Sequence, residues 1–502
     1  MIELKELKLA IEPRTSSVLT KISKFLAGQN IKAYLVGGFV RDVLLSRDTA
    51  DIDIAVTADA LEIAPRIASI LGGKHVPLDE INRVSRIVLP SQEAAEGRLE
   101  LDLATIKHSI EQDLAQRDFT VDAIAIDLEE LEKGYTDVRL IDPFGGWNDL
   151  QRRVIRAVGE DALKSDAVRL LRAVRLAAEL RFNIDKETET LIRRDSPLIT
   201  NVAGERIREE LLRLLAVSNS EQLLYYLDGL GLITATIPEL AQTKGITQPK
   251  EHFWDVFNHL IHAVAAADFL LRQGDWKYTS KEVLTSVPWS PELAQHFEQE
   301  VSHGSTRRLL LKLAALLHDI AKPQTKTTKA DDRVRFLGHA QMGAEIVTDI
   351  LQRLRFSAKE IKLVEIMVRY HLRPTQMSQE GLPSPRAIYR YFRDTGDAGI
   401  DTLFLSLADH LATRGPDLNL AQWREHAQLT EYVLGQYLKP ESIVAPPKLI
   451  NGHDLINILG MKPGPKIGEL LEAVREAQAA GELTTREEAL SYIRKRLTKE
   501  AK

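Results

Sequence analysis

The sequence predicts an α+β head built on a mixed sheet, followed by a predominantly α-helical neck, body and tail. Two patterns and one boundary carry that reading. Short apolar strand patterns are confined to residues 1–150, and helical periodicity runs almost unbroken from residue 151 onward. Between them stands the turn cluster Asp142-Pro-Phe-Gly-Gly-Trp147.

In chain order, strands are expected at Tyr34–Gly37, Ile52–Val56, Ser85–Leu89, Leu99–Ala104 and Ala123–Leu128, with a short helix over Phe39–Leu45. A helical neck follows over 151–221, punctuated by Pro197 and Gly204, and then a second domain over 222–445. Its polar stretch Gln273–Ser305 reads as an insertion or loop. Pro446-Pro447 reads as a linker to a tail over 446–502. With 502 residues and a hydrophobic fraction of 44%, the chain can bury several cores. It contains no cysteine, which excludes disulfides and thiolate metal sites and fits a reducing cytoplasm, the expected location. The apolar runs Leu309–Leu317 and Val264–Leu271 are too short to span a bilayer, so no membrane partner is expected. A net charge of −6 leaves any nucleic-acid partner to a local basic surface.

The densest chemistry lies between Leu35 and Val56. Gly37 and Gly38 follow a short apolar strand and allow a tight turn with close approach to a ligand. Arg41 then falls in the first turn of a helix, and a helix N-terminus with a guanidinium suits a phosphate. Asp51 and Asp53, two apart on the next strand, point to one face. Paired carboxylates repel unless a cation joins them, and hard oxygen ligands suit Mg²⁺. A phosphate seat beside such a pair suits nucleotidyl transfer, in which metal ions activate a hydroxyl and stabilise leaving pyrophosphate. Arg98-Leu-Glu-Leu-Asp-Leu-Ala104 alternates, so a third carboxylate comes from Asp102, with Glu100 as the alternative; a half-exposed strand explains the alternation equally well taken alone. Arg117 and Asp118 precede another apolar strand, where the arginine can reach a triphosphate and the aspartate can orient it. Asp166, Arg169, Arg172 and, less closely, Arg175 recur at helical spacing, and a carboxylate with a guanidinium on one helix can pair with a nucleobase edge.

These segments resemble the class II tRNA nucleotidyltransferase and bacterial poly(A) polymerase family. The matches are G-G-x-V-R-D, D-x-D, R-D-F-T, D-P-F-G-G-x-x-D-L and D-x-x-R-x-x-R-x-x-R, in the family's order over roughly residues 30 to 215. The resemblance implies a nucleotidyltransferase-fold head with a helical neck. Asp51 and Asp53 would hold catalytic Mg²⁺, with Asp102 completing the triad. Gly37, Gly38, Arg41, Asp42, Arg117 and Asp118 would bind the incoming triphosphate. Asp166 and Arg169 would read the base of CTP or ATP, supported by Arg172 and Arg175. The implied partner is the 3′ end of a tRNA. The sequence departs from the family at Ser165 (usually Glu), Asp122 (usually Asn) and Gln116 (usually Arg). It is also short between the third-carboxylate strand and R-D-F-T, where only Leu103 to Gln116 intervene. Members that build a whole C-C-A end carry a flexible loop there that helps switch from CTP to ATP. The short form resembles C-C-adding specialists, which leave the last A to a separate A-adding enzyme. Complete C-C-A addition, poly(A) polymerase activity and a non-catalytic RNA-binding role are the alternatives.

A second constellation is spread over successive apolar helices. His259, His318, Asp319 and Asp409, with His339 and His371, offer ligands for a divalent metal. The pattern resembles the HD phosphohydrolase superfamily. That implies a metal-bearing HD domain, with His339 and His371 where two-metal members place extra histidines, and an accessory activity on phosphomonoesters or 2′,3′-cyclic phosphates. The tail, Leu449 to Gly468, resembles the family's tRNA-binding C-terminus, with Arg494, Lys495, Arg496 and Lys499 as candidate backbone contacts.

Overall fold

The computed structural model describes residues 2–3, 9, 11–90, 99–133, 138–328, 334–377, 381–439, 444 and 447–500. Arg98 and Pro446, and with Pro446 half of the expected linker, lie outside the described residues. The chain divides into two compact units, residues 1–202 with 230–232, and residues 203–229 with 233–502.

The first unit is organised on one sheet. Its strands are β1 (Ile2–Glu3), β2 (Ala33–Val36), β3 (Asp51–Val56), β4 (Lys74–Asp79), β5 (Val84–Leu89), β6 (Leu99–Thr105), β7 (Ala125–Asp127) and β8 (Arg139–Ile141). Their order is β1-β8-β7-β2-β3-β6-β5-β4. The sheet is mixed: β3 and β6 run parallel, and the other pairs are antiparallel. Ile52, Ile54, Leu101, Leu103 and Ile87 are buried, and all lie on one face by the period-two alternation of their strands. The opposite positions carry Asp51, Asp53, Glu100, Asp102 and Arg86. Alternation thus separates the core from the chemistry on the same three strands.

Several sequence expectations are corrected in detail. The helix after the glycine pair spans Gly37–Leu44, so it begins at the glycines themselves. The strand expected at Ala123–Leu128 is only Ala125–Asp127, because Thr120–Asp122 forms a 3₁₀ turn before it. β4 is not among the expected strands: its burial pattern is largely exposed and it contains Pro77, tolerable because it is the sheet's edge. The helical part also holds small two-stranded pieces, such as Val154–Ile155 with Asn183–Ile184.

In the second unit, helices Val256–Leu270, Arg307–Leu317, His339–Arg353, Ala358–Tyr370 and Gly399–Arg414 pack together. Val256–Leu270 is buried nearly all round, which explains its lack of a polar face. The stretch expected as a loop, Gln273–Ser305, instead carries helices Lys281–Thr285 and Pro291–Glu298. The second is anchored by Phe297, stacked near Trp289 and edge-on to Phe404. Its polar composition misled because few residues supply that anchor. The tail helices Gly452–Leu459, Pro465–Ala479 and Arg486–Glu500 enclose their own small core of Leu455, Leu470, Val474 and Ile493.

Candidate active site and candidate metal centre

Antiparallel pairing of β2 with β3 sets Leu35 opposite Ile54, so the chain leaves β2 at Gly37 beside Asp53. Gly37 has φ +68°, and a Cβ there would lie 2.6 Å from Arg117 Nη1 and 2.9 Å from Asp53 Oδ2. Only glycine fits, because both the backbone conformation and the space forbid a side chain. Arg117 is thereby held against Asp53, and its Nη2 also lies 3.4 Å from Asp113. Gly38 lies beneath Arg41, where a Cβ would be 3.4 Å from Nη2.

The parallel register of β3 and β6 sets Asp51 beside Glu100 and Asp53 beside Asp102. Four carboxylates therefore crowd one edge. Burial pushes the Asp53 carboxyl up to about 6; Arg117 opposes the rise, while Asp102, Asp122 and Asp51 add to it. A group so placed fits a divalent cation, since the cation removes the repulsion that the fold creates.

The sequence reading missed Arg86. It stands opposite Asp102 in the antiparallel β5–β6 pair, donating from Nε and Nη2 to Asp102 at 2.7 and 2.8 Å and from Nη1 to Glu100 at 2.5 Å. Only the pairing register could have revealed it, because nothing local marks Ser85-Arg-Ile87 as chemical. A bidentate guanidinium fixes the direction in which Asp102 presents its oxygens. If Asp102 holds a divalent metal, Arg86→Ala is expected to weaken metal activation of transfer by about 10–100-fold, the usual cost of losing a group that orients a metal ligand. A magnesium titration of activity checks this, and an unchanged midpoint would remove Asp102 from the metal set.

The arginines and aspartates expected at the nucleotide are close-knit. Arg41 is buried, donating to both oxygens of Asp42 at 2.9 Å and to Asp122 at 2.7 Å. Burial works against its charge, and Asp122 and Asp42 more than offset this, raising its pKa. Asp118 Oδ2 meets Arg172 Nε at 2.7 Å. Burial raises the Asp118 pKa and Arg172 opposes it. Asp166 precedes helix Val168–Leu180, and its carbonyl accepts from Arg169 N. Ser165 stands where the resemblance leads one to expect a glutamate; its Oγ accepts from Arg169 Nη1 at 3.4 Å, and the shorter bonds go to carbonyls, Nη1 to Ala162 O and Nη2 to Gln116 O, both at 2.9 Å. Gln116, another departure, thus contributes through its backbone. Arg175 stands apart from the other three, being buried and paired with Glu179 at 2.6 Å.

The second unit brings together every candidate ligand of the second constellation. One ligand atom each of His259, His318, Asp319 and Asp409 lies within 4.8 Å of the others, and the same holds for Asp319, His339 and His371. Asp319 is common to both groups. The ring orientations are fixed from behind. Nδ1 of His318, His339 and His371 meets the carbonyls of Ala315, Phe336 and Val368 at 2.9, 2.6 and 2.7 Å. Each carbonyl can accept only from a protonated Nδ1, so that in the neutral ring Nε2 is the lone pair, facing Asp319. His339 Nε2, His371 Nε2 and Asp319 Oδ1 are buried without a hydrogen-bond partner. Burial lowers His371 to about 3, so its imidazole is neutral, the form in which it could hold a metal. This donor set fits a divalent metal. Lys322 reaches Asp319 at 2.5 Å, a partner the sequence reading did not single out. A cavity of about 420 Å³ opens onto Asp319, His339, His371 and Asp409, with Lys322, Arg335 and Arg414 in its wall.

Comparison with known proteins places each of these two sets of residues in a chain of known domain type. The chain matches the poly(A) polymerase head domain over residues 33–156 and the polymerase A RNA- and SrmB-binding region over 181–243. It matches the HD domain over 290–414 and tRNA nucleotidyltransferase domain 2 over 410–493. An A-adding tRNA nucleotidyltransferase of Deinococcus radiodurans is 34% identical over 92% of this chain and 95% of its own. A CC-adding tRNA nucleotidyltransferase of Thermus thermophilus is 33% identical over 92% and 93%. The fold is that of the Thermotoga maritima CCA-adding enzyme solved with tRNA, with TM-score 0.59 and 23% identity over 98% of this chain and all of that one. No helix among the described residues is long and apolar enough to cross a membrane. The mixed-sheet head, the helical body with its HD cluster and these full-length relatives together make the chain a member of the tRNA nucleotidyltransferase and poly(A) polymerase family, a metal-dependent nucleotidyltransferase of the CCA-adding type.

Proposed function

We propose that this protein adds C-C from CTP to the 3′ end of tRNA in the cytoplasm, without a nucleic-acid template, and leaves the terminal A to a separate enzyme. One observation carries the C-C reading. Between β6 and Arg117 the chain forms the short helix Ile110–Ala115, capped by Ser109. Ile106, Ile110 and Leu114 are buried with Val36, Ala55, Ala123 and Ala125. A segment anchored in the core at three points is not a loop that can swing to exchange CTP for ATP.

In this reading residues 1–150 are the catalytic head, 151–221 the neck, 222–445 the HD domain and 446–502 the tRNA-binding tail. Asp51, Asp53 and Asp102 hold Mg²⁺, which when bound activates the 3′ hydroxyl and stabilises the leaving pyrophosphate. Arg41 and Arg117, beside Gly37 and Gly38, take the triphosphate; Asp42 orients Arg41, while Asp118, expected to orient Arg117, instead pairs with Arg172 on the neck helix. Asp166 and Arg169 pair with the base, and Arg172 and Arg175 support their helix. Arg169 is fixed by carbonyls on both sides. The HD cluster, with a divalent metal, hydrolyses phosphate esters.

Addition of the terminal A alone is the second reading, favoured by the Deinococcus radiodurans relative. One experiment separates these. Transcripts ending before C-C-A, after C and after C-C are incubated with CTP, ATP or both, and the products are sized. C-C addition extends the first two with CTP and leaves the third unchanged. Extension of the third by ATP alone supports the second reading, and extension of the first to full C-C-A overturns both.

A further inference from the structure

Asp122 shares each of the two cations that face it, Arg41 and Arg172, with another carboxylate. It is buried, at 2% exposure, in the turn Thr120–Asp122. That turn is rigid: Thr120 Oγ1 donates to Asp149 at 2.8 Å, and a Cβ on Gly146 would lie 2.0 Å from the Thr120 carbonyl. Oδ1 accepts from Arg41, which Asp42 already holds by two hydrogen bonds. Oδ2 is buried with no hydrogen-bond partner, and the cation facing it is Arg172 Nη2 at 3.8 Å. Arg172 is in turn paired with Asp118. Two guanidiniums and three carboxylates are therefore joined by ion pairs, with Arg169 also acting on Asp118, and Asp122 stands between the arginine beside the glycine turn and the arginine on the neck helix. An amide in its place would have the same shape and remove one negative charge from between those two arginines.

We propose that Asp122 is a positioning residue that couples the phosphate end of the nucleotide site to the neck helix. A triphosphate entering at Gly37 and Gly38 competes with Asp122 for Arg41. The released carboxylate turns its charge to Arg172, drawing it from Asp118 and altering the helix that carries Asp166 and Arg169. Asp122 thus weakens triphosphate binding and makes occupation of the phosphate end felt at the base-reading end. The inference rests on the proposed nucleotide site, not on which nucleotide is added.

The test is equilibrium binding of CTP, with Ca²⁺ in place of Mg²⁺ to prevent turnover, and of inorganic pyrophosphate, to the full chain. Removing one like charge from the cluster in Asp122→Asn is expected to tighten both by about three- to tenfold. A Kd unchanged within about twofold, or a weaker one, overturns the proposal. A double-mutant cycle tests the coupling. Arg172→Gln changes CTP affinity by a different factor in the wild-type and Asp122→Asn backgrounds, at least about threefold apart; additivity overturns the coupling. Asp122→Ser removes the charge with a smaller side chain and is measured in the same way if the amide variant does not fold. If neither folds, Asp122 is a structural counter-ion and the proposal falls. Protein that binds CTP with these differences yet extends no tRNA would sink the proposed function while leaving this inference standing.

Discussion

Asp53→Asn is expected to lower nucleotide addition by about 1000-fold or more while making the metal-free protein more stable. The two halves of that result have one cause. Asp53 is fixed by β3 beside Asp102 and close to Asp51 and Asp122, with Arg117 as its opposing charge. An amide keeps the shape and removes a metal ligand, so transfer is lost. It also removes a buried charge that the apo fold holds at a disadvantage. The sign follows from linkage. The carboxyl is raised from 3.8 to about 6, so the folded state binds the extra proton between those values. Stability therefore falls as pH rises through that window, and above about 6 the wild type carries the whole penalty, on the order of 3 kcal/mol. In chelator, the melting temperature of Asp53→Asn should exceed that of the wild type at pH 7.5, and the gap should shrink at pH 4. Mg²⁺ should raise the wild-type value and leave the variant's unmoved. A variant that loses activity and stability together would point to misfolding instead, and one that keeps activity would remove Asp53 from the metal site.

What the sequence made legible was the set of groups whose spacing is local. Two carboxylates on one strand, a glycine pair before a helix and arginines at helical intervals are visible without knowing any tertiary contact. Register was not visible. Arg86 lies 14 and 16 residues from the two acids it holds, and it meets Asp102 only because β5 pairs antiparallel with β6. The edge strand β4 was hidden because it has no buried face to give it a period. Arg175 illustrates the reverse case: helical spacing groups it with Arg169 and Arg172, but the three-residue step drifts around the helix and carries it into the protein, where it is buried and pairs with the more exposed Glu179. Among the histidines, apolar surroundings marked the helices as core, and only the fold could show that the rings converge on Asp319.

The second large effect is expected in the HD cluster. Protein as purified should carry a divalent metal, and Asp319→Asn or His318→Ala should lose it. A hydrogen-bond network alone is a poor account of this geometry. His259 Nε2 and His318 Nε2 face each other at 3.1 Å, and both face Asp319 and Asp409 at 3.2 to 3.5 Å. With His318 protonated at Nδ1 toward Ala315, its Nε2 becomes a donor only if the ring is charged. Burial opposes that charge, and Asp319 and Asp409 outweigh it, raising His318 to about 10. A cation of charge two at the centre satisfies both carboxylates and leaves the imidazoles neutral, as ligands must be. Because such a metal binds the folded chain and not the unfolded one, metal at 100 to 1000 times its Kd stabilises by about 3–4 kcal/mol. Chelation should therefore lower the melting temperature of the wild type by several degrees, and by clearly less in Asp319→Asn, which keeps only the metal site of the head. Hydrolysis of p-nitrophenyl phosphate or a 2′,3′-cyclic nucleotide should disappear in both variants. Nucleotide addition is the control, since its expected residues lie in the other compact unit. Protein that holds no metal, ignores chelator and hydrolyses neither ester would make the cluster a charged network inherited by the fold, with Lys322 rather than a metal balancing Asp319.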